Sequence, residues 1–176
     1  MPTFFKRRGF TLSKVEGFSI LEMLIYIAIL ALMLSVIMNI IVSALRSERI
    51  IKALRNVENS ATVGMERLVI EMRQAESVNV SLSILGSNPG KLVLKGTDGS
   101  GNPRTVEFYL SLGRLLLKEN GVDVGALSQS DARVSNLVFH LFSGPNSEGI
   151  RTEMTIESGT STHYRSKKFY SSVILR

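Results

Sequence analysis

The chain has 176 residues, Lys+Arg 21 against Asp+Glu 15 for a formal charge of +6, and neither Cys nor Trp. That length suits one domain, or a small domain with an appendage, and the lack of cysteine excludes a disulfide scaffold, a thiolate zinc site and a thiol nucleophile. Apolar residues at 44% are too many for a disordered chain.

The first element is a basic leader. Residues 1–17, MPTFFKRRGFTLSKVEG, hold Lys6, Arg7, Arg8 and Lys14 against Glu16 alone, so half of the excess charge lies in a tenth of the chain. The remainder is nearly balanced. A nucleic-acid protein would carry a basic stripe with aromatics on its folded part, and clusters such as Arg165, Lys167 and Lys168 read as a solvated strand face, so no nucleic-acid partner is indicated.

Next comes a segment that a water-soluble fold would not carry. From Met23 to Leu45 no residue is charged, and neither Pro nor Gly occurs from Phe18 through Val63. A helix over Met23–Leu45 is about 34 Å long, enough to cross a hydrocarbon core of about 30 Å. Its apolar residues run all the way round, the pattern of a span and not of a half-buried core helix. The run is too long for the apolar region of a secretory signal, and no A-x-A site follows. A retained anchor over residues 18–45 is the expectation. The positive-inside count does not orient it, because Arg46, Arg49, Lys52 and Arg55 balance the four basic residues ahead. A short N-terminus inside and a large domain outside is the simpler topology.

Glu22 stands at the head of this run, with Phe18, Ser19, Ile20 and Leu21 before it. A carboxylate in a bilayer costs roughly 2.5–3.5 kcal/mol and is expected to find a partner. Either Glu22 is solvated at head-group level, or a cation meets it. A cut after Gly17 would supply one, since Phe18 would then bear a free α-amino group four residues from Glu22. In a bundle of parallel copies the amine of one could pair with the glutamate of a neighbour.

The stretch Gly17-Phe18-Ser19-Ile20-Leu21-Glu22, after a basic leader and before a long apolar helix, resembles the processing site of type IV prepilins and type II secretion pseudopilins. The resemblance implies that a prepilin peptidase cuts between Gly17 and Phe18 on the cytoplasmic side, that the Phe18 amine is methylated, and that Glu22 serves subunit assembly. Gly9-Phe10-Thr11-Leu12 looks similar but carries Lys14 where the glutamate should stand. Many major pilins have a helix-breaking proline in mid-span, whereas this chain has Asn39.

Beyond Leu45 charges return and helical periodicity persists. Ile50, Leu54, Val57, Ala61, Met65, Leu68, Met72 and Ala75 mark one face, with Arg49, Lys52, Glu58, Glu66 and Arg73 opposite. Residues 46–77 therefore read as an amphipathic continuation ending near Glu76, and the whole helix as about 88 Å. Met65 and Met72 read as core filler. Gly64 reads as a slight bend or a point of close packing.

From Val78 the pattern changes to short alternating runs: Val78–Leu85, Lys91–Lys95, Arg104–Ser111, Arg114–Glu119, Val134–Phe142, Ile150–Glu157 and His163–Leu175. Asn120-Gly121 is a hairpin signal and Asp98–Asn102 a loop tip. The expected fold class is α+β: one long N-terminal helix with an antiparallel β-sheet domain, residues 78–176, laid on its amphipathic half. This too resembles the pilin fold, and VEFYLSLGRLLLKENG, VSNLVFHLF and FYSSVILR look most like J-type pseudopilins and minor pilins.

No H-E-x-x-H, G-x-S-x-G or phosphate-binding glycine loop occurs. His140 and His163 fall on expected strands with no nucleophile or acid pattern beside them. Asp98, Ser100 and Asn102 alternate oxygen donors, but the loop lacks a glutamate at the EF-hand position and is good turn chemistry. No enzyme, cofactor or metal is expected. The resemblance implies a structural, minor subunit of a type IV pilus or pseudopilus. It would sit first in the cytoplasmic (inner) membrane and then in the filament. Its partners would be other pilin subunits, the prepilin peptidase, an inner-membrane assembly platform and membrane lipid. The rival is a single-span anchored binding or enzymatic domain outside the membrane. Such a domain more often follows a Gly/Ser/Pro linker, which Leu45 does not precede.

Overall fold

The computed structural model describes residues 17, 19–144 and 147–175. Its elements run α1 (Ile20–Gln74), β1 (Ser77–Val78), β2 (Leu92–Thr97), β3 (Pro103–Ser111), β4 (Arg114–Glu119), β5 (Val122–Ala126), β6 (Ala132–Ser143), β7 (Glu148–Ser158) and β8 (Arg165–Ile174). The fold class is α+β: one long N-terminal apolar helix packed on an antiparallel β domain. Two compact units divide between Ser43 and Ala44.

In the first unit α1 exposes its large apolar side chains on every side, Ile20 and Leu21 through Val42. Leaving that surface in water would cost on the order of tens of kcal/mol. The best 18-residue window has a mean hydropathy of 2.7 and none of it is buried, so the helix is long and apolar enough to cross a bilayer. It passes through Asn39 without a break.

In the second unit α1 turns a buried face inward: Ala53, Val57, Ser60, Ala61, Gly64, Leu68, Glu71 and Met72. This face is rotated from the expected stripe, leaving Leu54 exposed and Met65 half-buried. Small residues line the rotated face: Gly64 faces Leu115, the Ser60 hydroxyl accepts from Gln129 N at 3.1 Å, and Ala53 lies beside Gly159. A Cβ on Gly64 would meet Leu115 Cδ2 at 3.1 Å, so close packing is what that glycine permits.

Two sheets replace the single one expected. One has the order β1-β2-β3-β4-β5 and the other β6-β7-β8, all neighbours antiparallel. Their apolar faces and α1 share one core, with Phe108, Leu115 and Leu117 from the first sheet and Leu137, Phe139, Met154 and Ile156 from the second. The Asn120-Gly121 turn has φ of 49° and 83°, the left-handed pair that a two-residue hairpin requires. Leu112-Gly113 adopts the same geometry, φ 50° and 74°, with a leucine where glycine or asparagine is ordinary.

The expected strand Val78–Leu85 is mostly not one. Only Ser77–Val78 pairs, then Val80–Leu82 form a 3-10 turn and Ile84 makes a lone bridge to Lys91. Ser83 explains this locally: its hydroxyl donates to the Asn79 carbonyl at 2.7 Å and accepts from Val93 N at 3.0 Å. His163 likewise lies in a 3-10 turn, Ser161–His163, and not on a strand; His140 is on β6.

Candidate functional site

At the head of α1 the chain emerges from exposed Gly17, and Met23 N donates to the Ser19 carbonyl at 3.1 Å, the first helical bond among the described residues. Glu22 therefore stands in the first turn. There the unpaired amides of the helix N-terminus favour a negative charge. The Tyr26 hydroxyl, one turn on, donates to Glu22 Oε1 at 2.9 Å. A carboxylate offers about four acceptor positions, so this bond orients Glu22 and leaves it able to accept from a further donor. Residues 18–45 contain no Lys, Arg or His, so this stretch supplies Glu22 with no cationic side chain. Phe18 and residues 1–16 lie outside the described residues, and with them the site of the expected methyl group and the leader on the other side of the cut.

Sequence reasoning missed Tyr26. Its signal was the four-residue spacing that puts Glu22 and Tyr26 on one helix face.

A second charged cluster lies in the β domain. Glu71, 2% exposed, accepts both terminal nitrogens of Arg104 at 2.7 and 2.9 Å and pairs with Arg67 at 2.6 Å. Arg104 Nε donates to Glu119 Oε1 at 2.6 Å. The bonds to Glu119 and then Glu71 hold the Arg104 guanidinium still more firmly protonated, and the Arg104 bond holds the Glu119 carboxyl below its ordinary range. Every member is matched by an opposite charge, which makes this a clamp of α1 onto β3 and β4 and not a reactive centre. Glu71 was hidden in the sequence because it sits among apolar positions as an ordinary helix residue.

The loop Asp98–Asn102 spends its carboxylate on itself. Asp98 accepts from Asn102 N and Ser100 N at 2.8 Å and from Asn102 Nδ2 at 3.1 Å, and these bonds, those from Asn102 first, lower its pKa. Among the described residues no group of three His, Cys, Asp or Glu could hold a metal ion. The chain matches no family model, no curated protein and no solved structure.

Proposed function

We propose that this chain is a structural, minor subunit of a type IV pilus or a secretion pseudopilus, cut between Gly17 and Phe18 and assembled through its N-terminal helix. One observation carries the reading: a single carboxylate, Glu22, heads a helix that is uncharged from Met23 to Leu45 and continues unbroken to Gln74. In lipid the apolar surface is covered by acyl chains, and in a bundle by neighbouring helices, so moving between them changes little apolar exposure. The polar pair then decides register. Glu22 unpaired in hydrocarbon costs roughly 2.5–3.5 kcal/mol, and the Phe18 amine of a neighbouring copy removes that cost at one axial stagger. Tyr26 holds the carboxylate in place for it.

The reading gives the chain no catalytic role. Its partners are other pilin subunits, a prepilin peptidase, an inner-membrane assembly platform and membrane lipid. It places the helix in the cytoplasmic membrane with the C-terminal domain outside, before transfer to the filament. The helix crosses Leu45 without a flexible linker, which favours this reading over an anchored enzyme or binding domain.

Intact mass and N-terminal sequencing, from cells that have the peptidase, should show loss of residues 1–17 and one methyl group on Phe18. Glu22→Ala should be cleaved but fail to enter filaments. An intact Met1 would refute the processing, and normal incorporation of Glu22→Ala would refute the pairing.

A further inference from the structure

The β domain carries an open groove of about 640 Å³. One wall is the α1 turn holding Arg49, Lys52 and Asn56. The others are the residues that lead into β6 and the connection from β7 to β8. That connection closes tightly: Gly159 has φ +86°, and its hydrogen faces the His163 carbonyl where no Cβ would fit.

The groove gathers Arg49, Lys52, Arg133 and His163 against Asp131 and Glu157. Asp131 is already engaged, with Lys52 Nζ at 3.8 Å and the Ser130 hydroxyl at 3.4 Å. Arg49, Arg133 and Glu157 form no ion pair among the described residues, although Arg133 stands directly across the ladder from Glu157, so the unpaired lining groups are two guanidiniums and one carboxylate. The Arg133 stem lies over Gly113, where an added Cβ would overlap its Cγ, so packing and not charge positions that guanidinium. Two guanidiniums without an ion pair line this cleft, and the oxygens of a phosphate accept such forked donors two at a time.

The source of that phosphate follows from the sequence of α1. Arg49 is four residues past Leu45, the last of the uncharged run, or about 6 Å along a helix, and Lys52 about 10 Å. The head-group layer adds about 5–7 Å beyond the hydrocarbon on each side. Arg46, Arg49, Lys52 and Arg55 face only Glu48 in this stretch, the composition of a segment drawn to anionic lipid.

We propose that this groove binds the phosphate of an anionic phospholipid head group, with Arg49 and Arg133 as its paired donors and Lys52 adding charge. The inference rests on the membrane-anchored part of the reading above and not on filament assembly.

The test uses the full chain in nonionic micelles with equal dioctanoyl phosphatidylglycerol and phosphatidylcholine, and counts bound lipid by native mass spectrometry. Phosphatidylglycerol should be retained about 5-fold over phosphatidylcholine or better, as near-surface basic residues predict. Arg49→Gln/Arg133→Gln should bring the ratio to about 1. Arg73→Gln/Lys95→Gln loses the same charge at exposed positions outside the groove and should keep the preference. Equal retention of the two lipids, an unaffected groove variant, or an equal loss in the control pair would overturn the proposal. Displacement of the lipid by millimolar inorganic phosphate would overturn the lipid assignment in favour of a soluble anion. Alkaline extraction of native membranes separates the two readings. A chain released by it sinks the anchoring reading as well, whereas a chain that stays inserted without lipid preference sinks this inference alone.

Discussion

Arg104→Met tests how much the buried cluster holds the helix to the sheet. The change removes two hydrogen bonds from Glu71, at 2.7 and 2.9 Å, and one from Glu119 at 2.6 Å. Removing one partner of a buried ion pair costs about 3–5 kcal/mol, chiefly because the other charge is left stranded. Two features lower that figure here. Arg67 remains 2.6 Å from Glu71, and Glu119, 34% exposed, can turn to water. A loss of about 2–3 kcal/mol is expected, a fall in Tm of about 5–10 °C for a chain of this size. Urea unfolding of the full chain in micelles, followed by far-ultraviolet circular dichroism, measures it. Glu71→Leu/Arg104→Met removes both buried charges together and should recover at least half of the loss, since a matched apolar pair avoids the stranded carboxylate. If Arg104→Met lies within about 0.5 kcal/mol of the parent, the ordinary range for a surface change, or if the double variant is no more stable than the single one, the clamp does not hold as described.

Glu119 of this cluster and the separate Asp98 loop set an acid limit. The Glu119 and Asp98 carboxyls are depressed in the folded state, so the unfolded chain binds more protons at acid pH, and the stability they add is present above ordinary carboxylate pKa values and lost as pH falls through the depressed ones. Urea midpoints should fall as pH drops below about 5, and Arg104→Met should flatten that acid slope. Leu112 is 99% exposed at a φ of 50°; Leu112→Asn should stabilise by about 0.5–1 kcal/mol, and a lower urea midpoint would contradict the turn geometry. Phe139→Ala, at a fully buried centre between the sheets and α1, should cost about 3–5 kcal/mol, and a loss under about 1 kcal/mol would mean that the second sheet does not share the core.

The parts of the fold that were legible in the sequence are those set by local rules. The apolar run needs no partner to declare itself, and absence of Pro and Gly from residues 18–63 foretold an unbroken helix. Arg114–Glu119 and the Asn120-Gly121 turn were placed correctly because alternation and positive φ are read from neighbours. Facts that depend on contacts far along the chain were not legible. Glu71 is buried because Arg104 reaches it from 33 residues away. Alternation alone could not divide eight strands into two sheets, and the Asn79–Ser83 turn won over an apolar alternating run through one serine hydroxyl. At the candidate site Gly17, Phe18 and Glu22 were singled out by residue type and spacing alone, and of these the structure adds only the place of Glu22 in the first turn, while the Tyr26 bond needed a rotamer that no sequence specifies.

The C-terminal end of α1 is stitched to β2 by short links. Glu76 N donates to the Lys95 carbonyl at 2.9 Å, Asn79 N to Val93 at 2.8 Å, and Gly96 lets the strand pass so near that a Cβ would sit 3.2 Å from the Gln74 carbonyl. With the Arg104 clamp about one turn earlier, the end of α1 is held to the first sheet at several points close together, so its last turns cannot fray by losing one bond at a time. Amide exchange over the last turns of α1 should accordingly be slower than along the outer edge of β8.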